Sequence, residues 1–138
     1  MKRYESRYFS LSIPDAWQGE FDDEEEYDIF FHPDGPGELQ ISAVMHEETL
    51  EYEDLEEIAA EDIQGGARTE KTRCGEFSGF LFDYDVDDEY WCEWYLSCGP
   101  LMLFITYTCP TDDEGKETAD IDLILGTLKA SQDSGTAD

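Results

Sequence analysis

The groups in this chain that can do chemistry are 36 carboxylates, four thiols and two imidazoles, set against only eight Lys and Arg. Two carboxylates held across one bond serve as general acid and base. With acids at 36 of 138 positions some must lie close together, so proximity alone singles out no pair. Asp83-Tyr84-Asp85-Val86-Asp87-Asp88-Glu89 opens like a calcium loop. That template needs glycine at its sixth position for the sharp turn and glutamate at its twelfth as a bidentate ligand. Those positions hold Asp88 and Trp94, so the segment reads as an acid-rich turn with at most weak, nonspecific affinity for divalent ions. The thiols, Cys74, Cys92, Cys98 and Cys109, include no Cys-x-x-Cys pair. Cys92 and Cys98 fall in one expected strand, about 20 Å apart by strand rise, too far to share a metal. Small buried hydrophobe is the role their spacing favours. His32 and His46 stand alone, with no Ser or Cys placed beside them as a nucleophile. Phosphate loop, nucleophile elbow and dinucleotide fingerprint are all missing. The residues predict a protein that is not an enzyme and holds neither metal nor cofactor.

The formal net charge of -28 narrows the partners. Nucleic acid and anionic membrane both present phosphates that such a field repels, so neither is an expected partner. Three readings of the acidity remain: a cell interior rich in salt, a surface made for a basic protein segment, or a solubilising coat. Met1-Lys2-Arg3-Tyr4-Glu5-Ser6-Arg7 starts with the basic residues of a secretory signal, but no apolar run of signal length follows and Asp15 comes early. The longest apolar run, Leu101 to Ile105, is only a strand's worth. The cytoplasm is the expected compartment, and reduced cysteines fit it.

The elements that position these groups follow from periodicity. Hydrophobic residues at 40% and aromatics at 14% supply one core, so the 138 residues are read as a single domain with frayed ends at 1–7 and 131–138. Residues 8–13 alternate and stop at Pro14, as a strand does. Residues 20–28, with seven acids in nine positions, read as an exposed mobile loop. Residues 27–31 and 39–45 make a hairpin about the turn His32-Pro33-Asp34-Gly35-Pro36-Gly37. From Thr49 to Ile63 the period becomes helical, with Leu55, Ile58, Ala59 and Ile63 on one face and Gly65-Gly66 as the stop. Strands over 69–74, 77–86, 90–98 and 101–109 form a meander. Thr111-Asp112-Asp113-Glu114 is a capping-box pattern opening a last helix that ends near Ala130.

The final hairpin can be checked by register. With Gly99-Pro100 as its loop, Cys98 faces Leu101, Leu96 faces Leu103, Trp94 faces Ile105 and Cys92 faces Tyr107, which puts one apolar set on one face. The neighbouring strands add an aromatic row: Phe80, Phe82 and Tyr84 with Trp91 and Tyr95. Such a row is either core beneath a helix or an exposed groove with Trp and Tyr as anchors for a partner.

About seven antiparallel strands with two helices give an α+β class with helices on both faces of the sheet. The opening YFSLSIPDAW, then GELQISAV before the acidic helix, then WCEWYLSCGPLMLFITYTCP running into the last helix, resemble the Mog1/PsbP-like fold. The resemblance is carried by strands and aromatics across most of the chain, and no member's binding motif is matched. It implies an α/β/α sandwich and a protein-binding role, since members range from a Ran-GTPase-binding import factor to photosystem accessory proteins and effector chaperones. The leading expectation is a non-catalytic binding or chaperone-like module for a basic or amphipathic segment. The competing one is a small hydrolase or ligand-binding domain with carboxylates in a pocket of the sheet.

Salt separates the readings of the acidity. Exposed charges are screened beyond about 8 Å at physiological ionic strength, so melting temperature is expected to rise up to that point. A continuing rise into molar KCl marks salt adaptation. A plateau with a steep loss of partner on-rate marks a steering surface. A melting temperature flat throughout leaves only the solubilising coat.

Overall fold

The computed structural model describes residues 1–60 and 68–131. Within them the chain runs β1 (Lys2–Glu5), β2 (Phe9–Ile13), β3 (Gln18–Asp22), β4 (Tyr27–Phe31), β5 (Glu38–Met45), α1 (Tyr52–Ala59), β6 (Glu70–Cys74), β7 (Phe77–Val86), β8 (Glu89–Cys98), β9 (Leu101–Pro110), α2 (Thr118–Leu125) and β10 (Lys129–Ala130). A seven-stranded antiparallel sheet in the order β3-β4-β5-β9-β8-β7-β6 is accompanied by a three-stranded one, β1-β2-β10. The class is α+β, with α1 on one face of the large sheet. On the other face lie α2 and the small sheet.

The β8–β9 hairpin has the register that side-chain alternation dictates: Cys98 faces Leu101, Leu96 faces Leu103, Trp94 faces Ile105 and Cys92 faces Tyr107. These residues, with Leu39 and Ile41 of β5 and Phe30 of β4, form the floor of the main core. Phe9, Leu11 and Ile13 of β2, Trp17, and Ile121, Ile124, Leu125 and Leu128 close it from above. Trp17 is fully buried, and its indole N–H donates to Asp120 at 3.2 Å, tying the loop after β2 to α2. The β5–β9 pair joins the two halves of the chain, from Glu38 opposite Thr108 to Met45 opposite Leu101. Gly75 turns β6 into β7 at φ 62°, where a side chain would run into the backbone of Leu128.

Several expectations are corrected. Residues 20–28 are not a mobile loop: Glu20, Phe21 and Asp22 belong to edge strand β3, paired with β4 from Asp22 opposite Tyr27 to Gln18 opposite Phe31. An edge strand exposed to water tolerates acids, and charge on it discourages pairing with another molecule. The Asp22 carboxylate accepts the N–H groups of Glu24 and Glu25 and so builds the tight turn that follows. Residues 1–7 are not frayed, because Tyr4 points inward and packs edge-on against Phe30 at 4.8 Å between ring centres. Thr111-Asp112-Asp113 forms one 3-10 turn and does not open α2; Gly115 at φ 89° breaks the run, and α2 starts after Glu117. Gly126 caps α2, so the chain leaves the helix before Leu128 and enters β10. In α1, Leu55 and Ala59 are buried while Ile58 is exposed. The expected continuation of that helix to Ile63, its Gly65-Gly66 stop and the tail after Ser131 lie outside the described residues.

Trp94 sits between Leu81 and Ile105 in the register and belongs to the main core. Trp94→Ala should lower stability by about 3–5 kcal/mol, the range for deleting a large buried aromatic. Urea denaturation reads this directly, and a variant as stable as wild type would place Trp94 outside the core.

Candidate functional site

The aromatic row lies on the α1 face, as alternation requires. Tyr84 is opposite Trp91 and Phe80 opposite Tyr95 across β7–β8. Strand β9 adds Phe104, Thr106 and Thr108 beside Tyr95, Glu93 and Trp91. Phe80 and Tyr95 stack with ring centres 5.6 Å apart, and Tyr95 meets Phe104 at 4.9 Å. Leu55 and Ala59 of α1 close over Phe80, Phe82, Tyr95 and Met102, with Leu50 and Tyr52 at the margin. Lys71 from edge strand β6 lies 4.8 Å from the centre of the Tyr52 ring.

Of the two readings of the row, core beneath a helix holds for Phe80, Phe82 and Tyr95, and the row is not one open groove. Phe80, Phe82 and Tyr95 are buried, because the short amphipathic helix between β5 and β6 crosses the sheet above them. The accessible end of the row is Tyr84, 37% exposed, and the half-buried Trp91. Trp17 and Trp94 are both buried, so Trp91 is the tryptophan that reaches solvent. Beyond it the β7–β8 turn consists of Asp87 and Asp88, both at positive φ (52° and 66°). A two-residue hairpin of this hand needs positive φ at both positions, for which Asn-Gly or Asp-Gly is preferred. Two aspartates bring a charge of -2 to the tip.

Acids elsewhere are held by phenols. Tyr107 donates to buried Glu117 at 2.7 Å and Tyr90 to Asp83 at 2.8 Å. Tyr84 donates to buried Glu93, and Tyr4 with Ser6 to buried Asp28. The ion pairs found among the described residues join the N-terminus to Asp15, Arg3 to Glu5, and Lys116 to Asp113, and none of them reaches those buried acids. Burial first, and then the accepting carboxylate, push the phenols of Tyr4, Tyr90 and Tyr107 above their ordinary range. Such phenols stay protonated and act as fixed donors. Burial also lifts the thiols, Cys74 to about 11 and Cys92 to about 12, with Cys98 and Cys109 raised as well. All four cysteines are unbridged. Since the thiolate is the nucleophile, the buried thiols are inert at neutral pH. Cys92 and Cys109 are diagonal neighbours across β8–β9, about 7–8 Å apart in such a pair, beyond disulfide reach. Among the described residues no group of three His, Cys, Asp or Glu could hold a metal ion. His32 has a local role, its Nδ1 accepting the Asp34 N–H at 3.0 Å within the turn.

The phenol–carboxylate pairs were missed in the sequence. Tyr90 with Asp83 and Tyr84 with Glu93 are diagonal neighbours across one hairpin, so placing its turn at Asp87-Asp88 and working out the register would have found them. Tyr4 with Asp28 joins two sheets, and no local pattern marks it.

No family model matches the chain, and no curated protein does either. Solved structures match in shape. A crystal structure of a protein from Bacteroides thetaiotaomicron superposes with a TM-score of 0.68 at 19% identity, over 99% of this chain and 50% of that one. The chain thus spans half the length of that relative. LpqN of Mycobacterium tuberculosis, described as involved in cell envelope biogenesis, matches with a TM-score of 0.61 at 12% identity, over 89% of this chain and 83% of LpqN. PsbP of the cyanobacterium Synechocystis matches at 0.48 and 10% identity, over 94% and 92%. Identities this low establish the fold alone. At its TM-score the PsbP match carries no argument. Among the described residues no helix is long and apolar enough to cross a membrane.

Asp28 gives a pH prediction with a definite sign. Burial raises its pKa, against the lowering pull of the bonds from Tyr4 and Ser6. The native state therefore holds this proton more tightly than the unfolded chain does. Its stabilising contribution is complete below the unfolded value, near 3.8, and is lost as pH rises through the higher folded value. Asp28→Asn is neutral throughout, so stability of this variant relative to wild type should increase with pH across that window. Urea titrations of both proteins at stepped pH measure the difference; one that stays constant, or falls, contradicts the assignment.

Proposed function

We propose that the domain is a non-catalytic binding module of the cytoplasm, accessory or chaperone-like in role, which takes a basic, amphipathic protein segment at the open end of its aromatic row. The observation that carries this is the half-buried Trp91 opposite the 37%-exposed Tyr84 across β7–β8, beside a turn made of Asp87 and Asp88. An indole and a phenol give apolar area with little rotamer entropy to lose, which makes them good anchors. The acids at the tip and the net charge of -28 draw a cationic segment and repel an anionic one. Aspartate at two positive-φ positions is a local backbone cost that Asn-Gly would relieve, and charge at the tip is what the two residues supply in exchange. The inert thiols and phenol-capped carboxylates offer no nucleophile with a base beside it, which favours binding over catalysis.

The test uses a designed Lys/Leu amphipathic helix peptide and its Glu/Leu counterpart, with binding followed by tryptophan fluorescence and calorimetry. The basic peptide should bind and shift the Trp91 emission. Trp91→Ala and Tyr84→Ala should each weaken binding about tenfold or more, the scale of a hot-spot anchor. Calorimetry of Trp91→Ala at wild-type affinity, or equal binding of the acidic peptide, would remove the proposed site.

A further inference from the structure

The opposite face of the sheet carries a separate feature. The small sheet covers the β4 side of the main core through Tyr4 on Phe30, and Thr127 at the end of α2 is tied to β2 by the Ser12 N–H at 2.8 Å. With α2 held toward β2, a cleft of about 400 Å³ opens between α2 and strands β6–β8. Small-molecule sites run from about 300 to 1,000 Å³. Cys74, Leu81, Cys92 and Trp94 line its floor, and Ile121 and Leu125 its wall. Residual exposure in the core tracks this cleft: Cys74, Cys92, Trp94 and Ile121 keep 5–7%, while Leu96, Leu103, Ile105 and Ile124 keep none.

Charge around the cleft is uneven. Asp122 of α2 lines it and lies close enough to raise the thiols of both Cys74 and Cys92. Asp83, which accepts the Tyr90 hydroxyl, also acts on Cys92, so the Tyr90–Cys92 end is acidic. Glu70 adds a third carboxylate on the β6 rim. Among the described residues Arg73 is the one cation of the lining, and it sits at the other end, where it and Glu76 act on Cys98. An anion entering this slot meets the field of the whole chain, and a purely apolar molecule gains only burial. A cation with an apolar body gains burial, the carboxylates and an indole face together.

We propose that this cleft is a binding site for a small amphipathic amine, with its ammonium at the Asp122–Tyr90 end and its alkyl or aryl body on Trp94 and Leu125. The site is distinct from the aromatic row, which is on the other face of the same sheet, so either reading can fail without the other.

Octylammonium is the probe, with octanol and octanoate as matched controls, followed by NMR shifts of the Trp94 indole and by calorimetry. Octylammonium should bind about tenfold more tightly than octanol, and octanoate more weakly than either. Asp122→Asn should weaken octylammonium binding about fivefold and leave octanol unchanged, as expected for one partly screened ion pair. Asp23→Asn, which removes one exposed charge beside β3, at the opposite edge of the sheet from β6, should change neither. Thr72→Trp on edge strand β6, placed to fill the mouth, should abolish binding of both probes, and Trp91→Ala should affect neither. Octanoate binding as well as octylammonium, equal losses in Asp122→Asn and Asp23→Asn, or binding that survives Thr72→Trp would each overturn the proposal, as would failure of octylammonium to bind at all.

Discussion

The structure depends on a shortage of cations. A buried carboxylate left without donors costs several kcal/mol, and the common remedy is a Lys or Arg. With eight such residues for 36 acids, this chain uses neutral donors on aromatic rings. At Tyr4, Tyr90 and Tyr107 the solution does two jobs, since the ring packs in or against the main core while its hydroxyl serves an acid. Tyr4 on Asp28 fastens the small sheet to β4, and Tyr107 on Glu117 fastens the start of α2 to β9. Tyr90 on Asp83 and Tyr84 on Glu93 brace the β7–β8 hairpin from its two faces. The indole of Trp17 on Asp120 is the same device with a different ring. Phenols raised by burial and by their acceptors do not ionise near neutrality, so these joints hold at any physiological pH. The acidity of the surface and the aromatic richness of the interior are two sides of one arrangement.

That arrangement leaves the two faces of the large sheet unequal. One is sealed by α2 and a second sheet, except for the slot beside β6. The other is crossed by an eight-residue helix that covers Phe80, Phe82 and Tyr95. At the turn end of the β7–β8 hairpin one large ring, that of Trp91, stays half in water.

Strong alternation made the meander legible. The bounds of β7 and the register of β8–β9 were readable from side-chain period and turn chemistry, because a slip of one residue would expose Trp94, Leu96 and Ile105 together. Edge strand β3 was not readable, since its acids at 20 and 22 carry the signature of a loop and only pairing with β4 makes it a strand. The small sheet was hidden for a related reason. Strands β1 and β10 are short and polar; β1 pairs with its near neighbour β2, while β10 exists only through the same strand at the other end of the chain, Lys129 opposite Ser10 and Ala130 opposite Phe9. Thr111 to Glu114 carried a true local signal for a helical turn, which Gly115 then cut off. In the aromatic row the residues and their common face were legible, and a covering helix was one of two readings left open; which rings it covers was not legible. Spacing shows which side chains share a face, whereas only tertiary structure shows where a helix crosses it.

The β5–β9 pairing has a consequence for how the molecule is made. Its partners lie 56 to 70 residues apart, from Met45–Leu101 to Glu38–Thr108, and this seam is central to the sheet. During synthesis the β3–β4–β5 unit emerges first and waits, with the edge of β5 and its Leu39 and Ile41 unpaired, until β9 leaves the ribosome. Contacts of such long sequence separation form slowly, and an open apolar edge invites pairing with a neighbouring nascent chain. The acids packed into β3, into its turn and along α1 are already present in that fragment. Mutual repulsion between fragments keeps two unfinished copies apart for as long as each needs to find its own last strand.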